Sequence, residues 1–132
     1  IDTFPNIEYW AVGGHSLGGA MAAQFTASQT DLVDGLVLWA AYSAQGTDLS
    51  DLDLKVVSIY ASNDGLASQK EIDDSRSRVP GDTIYVEIMG GNHAGFGWYG
   101  PQAGDGSRSI SKTEQQDQIV EATTAFLQTV AE

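Results

Sequence analysis

Apolar residues fall along this chain in two rhythms. Four short runs, residues 7–12, 36–41, 55–60 and 83–89, are dense in β-branched, aromatic and aliphatic side chains. They are too short for helices and read as strands. The second run, Leu36-Val37-Leu38-Trp39-Ala40-Ala41, has no polar alternation, the mark of a strand buried on both faces of a parallel sheet. Between and after the strands the spacing changes. Residues 17–28 are rich in small apolar residues that allow close packing on a sheet, and residues 68–75 predict a short helix. Ser111-Lys112-Thr113-Glu114 is a capping box opening a last helix to about residue 131. Its Ile119, Thr123, Phe126 and Val130 share one face, with Val120 and Leu127 beside them.

Turn signals separate the elements: Pro5-Asn6, Asp34-Gly35, Asn63-Asp64-Gly65 and Pro80-Gly81-Asp82. Residues 42–54 and 98–110 read as loops. The order strand–helix–strand–loop–strand–helix–strand–helix predicts an α/β fold, a three-layer α/β/α sandwich with a mostly parallel sheet. Right-handed crossovers then bring all strand C-terminal ends to one edge, where ligands bind in such sheets.

Composition narrows the function. The chain has 132 residues, 42% of them hydrophobic, enough for the core of one domain or part of one. Its 18 acidic against 6 basic residues give a net charge of −12, which disfavours nucleic acid and an anionic membrane surface. No cysteine is present, so disulfides, thiolate metal sites and a cysteine nucleophile are excluded. With two histidines, a zinc site is not expected. Asp48, Asp51 and Asp53 lack the spacing of a calcium loop and read as a solvated acidic stretch. No cofactor is implied. The compartment is not legible. The first residue is Ile1, from which we expect a longer precursor.

The chemistry concentrates in Gly13-Gly14-His15-Ser16-Leu17-Gly18-Gly19, between the first strand and first helix. Strand, Gly-x-Ser-x-Gly, helix is the context of a nucleophile elbow. The turn strains the serine, and Gly14 and Gly18 are expected to be small because chain segments pass close there. Asp64 follows the third strand and His93 the fourth. All three therefore project onto one edge, in the order Ser, Asp, His. A serine hydroxyl needs a base, histidine is the usual one, and a carboxylate fixes its tautomer. Taken singly, Asp64 could be a turn former and His93 an exposed loop residue. The Leu17 N–H is the expected oxyanion donor. His15 is expected to pack locally, and Asn92 to act as a turn residue. Trp39, Tyr42, Phe96 and Trp98 are candidates for an acyl pocket or for its rim and core.

Gly-Gly-His-Ser-Leu-Gly-Gly-Ala at 13–20, Ser-Ile-Tyr-Ala-Ser-Asn-Asp-Gly-Leu at 58–66 and Glu-Ile-Met-Gly-Gly-Asn-His-Ala-Gly-Phe-Gly at 87–97 resemble the α/β-hydrolase superfamily. The likeness is to its fold-5 family, related to dienelactone hydrolases and small carboxylesterases. It implies carboxylic-ester hydrolysis through an acyl-enzyme, with Ser16 as nucleophile, His93 as base, Asp64 as its partner and a small-molecule ester as substrate. It also implies that residues 1–132 are the C-terminal portion of a single α/β-hydrolase domain. The family's earlier strands and second oxyanion donor have no counterpart here. The elbow strand would then be an exposed apolar edge, completed by an N-terminal half, a cleaved companion or a second copy of the chain. Two other readings compete: an inert module that needs its N-terminal half, and a flavodoxin-like nucleotide binder. The absent phosphate signature and the acidic charge disfavour the binder.

Overall fold

The computed structural model describes residues 3–132. Its strands are β1 (Ala11–His15), β2 (Gly35–Trp39), β3 (Lys55–Ala61) and β4 (Ile84–Ile88). They form one sheet in the order β1-β2-β3-β4, every pair parallel. The helices are α1 (Leu17–Ser28), α2 (Gln69–Ser75) and α3 (Lys112–Val130).

Alternation along the strands builds two cores. Leu36, Leu38 and Val56 point to one face, where they meet Ala22 and Ala23 of α1. Val37, Val57 and Ile59 point to the other, where they meet Ile119, Phe126 and Val130 of α3. Helix–sheet–helix is the three-layer sandwich expected from the order of elements. The α3 stripe is narrower than its sequence implies. Val120 and Leu127 are exposed, because the buried face runs through Gln115, Ile119, Phe126 and Val130. Trp39 Nε1 donates to Thr123 Oγ1 at 3.1 Å, tying α3 to the end of β2.

The bounds of two strands move, for physical reasons. The first strand is Ala11–His15 rather than residues 7–12. Its parallel partner begins at Gly35, opposite Ala11; Trp10 is tied to that start, its O accepting from Asp34 N and Gly35 N, and residues 7–9 lie before the ladder. At its other end β1 runs through the glycines and stops at His15, immediately before Ser16. The second strand ends at Trp39 because Ala40 has φ 45°, which breaks the extended path. The glycine-rich stretch after β4 also closes into a short 3₁₀ turn, His93–Phe96, where no helical turn was expected. β1 lies at the sheet edge with one neighbour.

Candidate active site

Ser16 is the residue between β1 and α1. It has φ 55° and ψ −125°, a region that non-glycine residues occupy at a cost of about 1–3 kcal/mol. The turn is held from both sides. Ser16 N donates to Trp39 O at 3.0 Å, while Gly19 N and Ala20 N donate to Ser16 O. The close approach falls on Gly14 and Gly19, not Gly18. A Cβ on Gly14 would lie 2.4–2.6 Å from backbone atoms of Gly18 and Gly19, and one on Gly19 would lie 2.4 Å from Ala41 Cβ. A Cβ on Gly18 would meet nothing within 4 Å. Gly18 sits on the outer side of the first helical turn, facing away from the strand.

Asp64 follows β3, and both its oxygens are committed. Oδ1 accepts from Leu66 N and Ala67 N, each at 2.7 Å. Oδ2 lies 2.8 Å from His93 Nδ1, and both side chains are buried. An ionised carboxylate only accepts, so Nδ1 carries the proton. That leaves Nε2 of neutral His93 as a lone-pair acceptor. Nε2 is buried with no hydrogen-bond partner. Ser16, Leu17 and His93 line one cavity of about 340 Å³. Leu17 is the first residue of α1, where helix N–H groups have no intrahelical acceptor and the dipole favours negative charge. The structure thus brings Ser16, Leu17, Asp64 and His93 together at the C-terminal edge of the sheet.

The surrounding aromatics divide. Tyr42 lines the Ser16 cavity. Trp39 and Phe96 line a second cavity of about 410 Å³ behind β1. Trp98 is exposed, with Lys112 Nζ 4.3 Å from its ring centroid. No group of three or more His, Cys, Asp or Glu able to hold a metal ion occurs among the described residues. Nor is any described helix long and apolar enough to cross a membrane.

A family model described as the alpha/beta hydrolase family matches residues 1–117. This chain belongs to the alpha/beta hydrolase family. Solved structures agree on the fold. A predicted CIB-like hydrolase from Thermoplasma acidophilum superposes with a TM-score of 0.69 at 20% identity, over 90% of this chain and 50% of that one. A carboxylesterase structure from Nitrososphaera gargenis gives 0.66 at 12% identity, over 96% of this chain and 67% of that one. An alpha/beta hydrolase enzyme from a lagoon-sediment metagenome gives 0.59 at 19%, over 71% and 57%. The chain therefore spans about half the length of the Thermoplasma structure. A search of curated proteins finds no match.

Three residues around this alpha/beta hydrolase site carry more than the sequence suggests. Asp105, in the 98–110 loop, accepts from His93 N at 3.0 Å, Ala94 N at 2.8 Å and Gly106 N at 2.8 Å. It anchors the backbone that presents the histidine. Nothing in its local sequence, flanked by Gly104 and Gly106, marks it. Gln115 is fully buried. Its Nε2 donates to Asn92 O at 2.8 Å and its Oε1 accepts from Asn92 N at 3.2 Å. A polar residue in register with Ile119 on the apolar stripe was the legible signal. Asn92 does more than turn the chain: its side chain accepts from Gly95 N at 3.0 Å and donates to Gly106 O at 2.8 Å. Asp105→Ala strands four N–H groups, of Gly65, His93, Ala94 and Gly106, and is expected to lower stability by about 2 kcal/mol, read by chemical denaturation.

His15 packs locally, as expected, but against the histidine itself. Its ring centroid lies 4.6 Å from that of His93 at 45°, and 5.8 Å from Phe96 at 10°. Burial, then the proximity of His93, lowers its pKa below 6.5. The unfolded chain therefore binds this proton at a higher pH than the folded one. The His15 contribution to stability is full above about pH 6.5 and is lost as pH falls through the lowered folded value. His15→Phe should consequently lose less thermal stability than the parent between about pH 7 and 5. An equal loss in both would remove His15 from the acid response.

Proposed function

We propose that this chain carries the catalytic machinery of a serine hydrolase that cleaves carboxylic esters. The observation supporting it most is His93: its Nδ1 sits on the buried Asp64, its Nε2 is buried with no partner among the described residues, and the residue lines the cavity that holds Ser16. Ser16 Oγ attacks the ester carbonyl while His93 Nε2 takes its proton. Leu17 N–H donates to the oxyanion. The proton then passes to the departing alcohol. Water, deprotonated by His93, attacks the acyl-enzyme; the Ser16 Oγ–acyl bond breaks, the acid leaves, and His93 Nε2 returns the proton to Ser16 Oγ.

The same proposal treats residues 1–132 as the C-terminal portion of one alpha/beta hydrolase domain. Its support is β1, an edge strand with one neighbour, and the half-length match to the Thermoplasma structure. A companion N-terminal segment or a second copy would pair with β1 and bring the second oxyanion donor. The alternative is a module that is inert without that companion.

A fluorophosphonate probe separates the two. One covalent label per folded chain, read by intact mass and absent in Ser16→Ala, is the expected result. A folded chain that takes no label favours the inert module.

A further inference from the structure

The cavity at Ser16 is notable for what lines it. Besides Ser16 and His93, its wall is alanine and leucine, with Tyr42 at one side. Ala40, Ala41 and Ala67 are buried, and no lysine or arginine reaches the wall. His93 lines this space, and its Nε2 is buried without a hydrogen-bond partner among the described residues.

Beyond Tyr42 and Ala44 lies a polar cleft that contains Glu71, Asp74 and Arg78. Its one cation is engaged. Arg78 Nε donates to Ser43 O at 2.9 Å and Nη1 to Asp74 O at 3.1 Å. Burial, then the Glu71 charge, raises the Tyr42 hydroxyl pKa, so Tyr42 stays a neutral hydroxyl. A carboxylate carried on a bound acyl chain would sit among alkyl groups with no cation beside them. If it reached outward it would meet Glu71, an Asp74 already paired with Lys70, and an Arg78 fixed on backbone carbonyls. The chain's net charge of −12 opposes its approach at longer range.

We propose that this site selects esters of uncharged acyl chains and excludes acyl chains that carry a carboxylate. The inference rests on Ser16 acting as the nucleophile. In the step concerned, a bond forms between Ser16 Oγ and the acyl carbon, the ester C–O bond breaks, and the serine proton goes to His93 Nε2. An uncharged chain gains from apolar burial, whereas a carboxylate must shed its water without a partner.

The test compares p-nitrophenyl pentanoate with mono-p-nitrophenyl glutarate. The two acyl chains have equal carbon counts and differ in the terminal group. Release of p-nitrophenolate by the 132-residue chain is followed, beside fluorophosphonate labelling of the same sample. The glutarate is expected to react at least about 100-fold more slowly than the pentanoate. Ala44→Arg, which puts a cation at the exposed rim, should narrow that ratio by about tenfold. Rates within about threefold of each other would overturn the selectivity and leave the nucleophile standing. So would labelling of Ser16 without release from the pentanoate. A folded chain that takes no label removes the nucleophile reading itself, and with it this inference.

Discussion

Asp64→Asn should lower the rate of Ser16 acylation by about 10⁴ while leaving the fold in place. The reason lies in the two ends of the carboxylate. Oδ1 is fixed by the N–H groups of Leu66 and Ala67, so the asparagine oxygen must occupy that end. Its amide nitrogen then faces His93 Nδ1 and donates to it. Nδ1 becomes the acceptor, the ring proton moves to Nε2, and the nitrogen that lines the cavity can no longer take a proton from serine. Volume and backbone bonds are nearly unchanged, so thermal unfolding should shift little. The measurement is the rate of fluorophosphonate labelling, with a melting curve alongside. Undiminished labelling would mean that Asp64 only shapes its turn.

Gly14→Ala is the change expected to act most strongly on the fold. Its added methyl would stand 2.4–2.6 Å from Gly18 C, Gly18 O and Gly19 N. These are backbone atoms that cannot rotate away. Strand and helix would have to part at the one point where Ser16 is held. The adjacent contact between Gly19 and Ala41 is no looser. We expect a loss of more than about 3 kcal/mol, seen as a chain recovered insoluble or already unfolded at room temperature. Gly18→Ala is the matched control. Its methyl enters open space, and alanine is the better helix former by about 1 kcal/mol. Equal behaviour of the two variants would contradict the close approach described for Gly14.

The contrast between these two glycines shows where sequence reasoning reached and where it stopped. Strand periodicity, turn residues and the capping box placed all four strands and three helices, because those signals are local. The elbow pattern placed the tight turn, yet it did not say which glycine faces the strand. That depends on the phase of the first helical turn. Asp64 and His93 could be assigned to one edge of the sheet, since parallel crossovers leave no other place for them. Asp105 could not. It reaches His93 through a loop without periodicity, and its role exists only in the folded contacts. Gln115 lay between these cases, a polar residue on an apolar stripe. The ends of β1 and β2 were set by a partner strand and by one backbone angle, neither of which is written in local composition.

The parallel sheet also orders events in time. Ser16 follows the first described strand, whereas Asp64 follows the third and His93 the fourth. The histidine loop is clasped by Gln115 of the last helix. A chain emerging from the ribosome N-terminus first thus exposes its serine well before the groups that would activate it. Every strand pairing needs a crossover, and such non-local contacts form late. On the proposed reading of Ser16 as nucleophile, its activation therefore waits until α3 has docked.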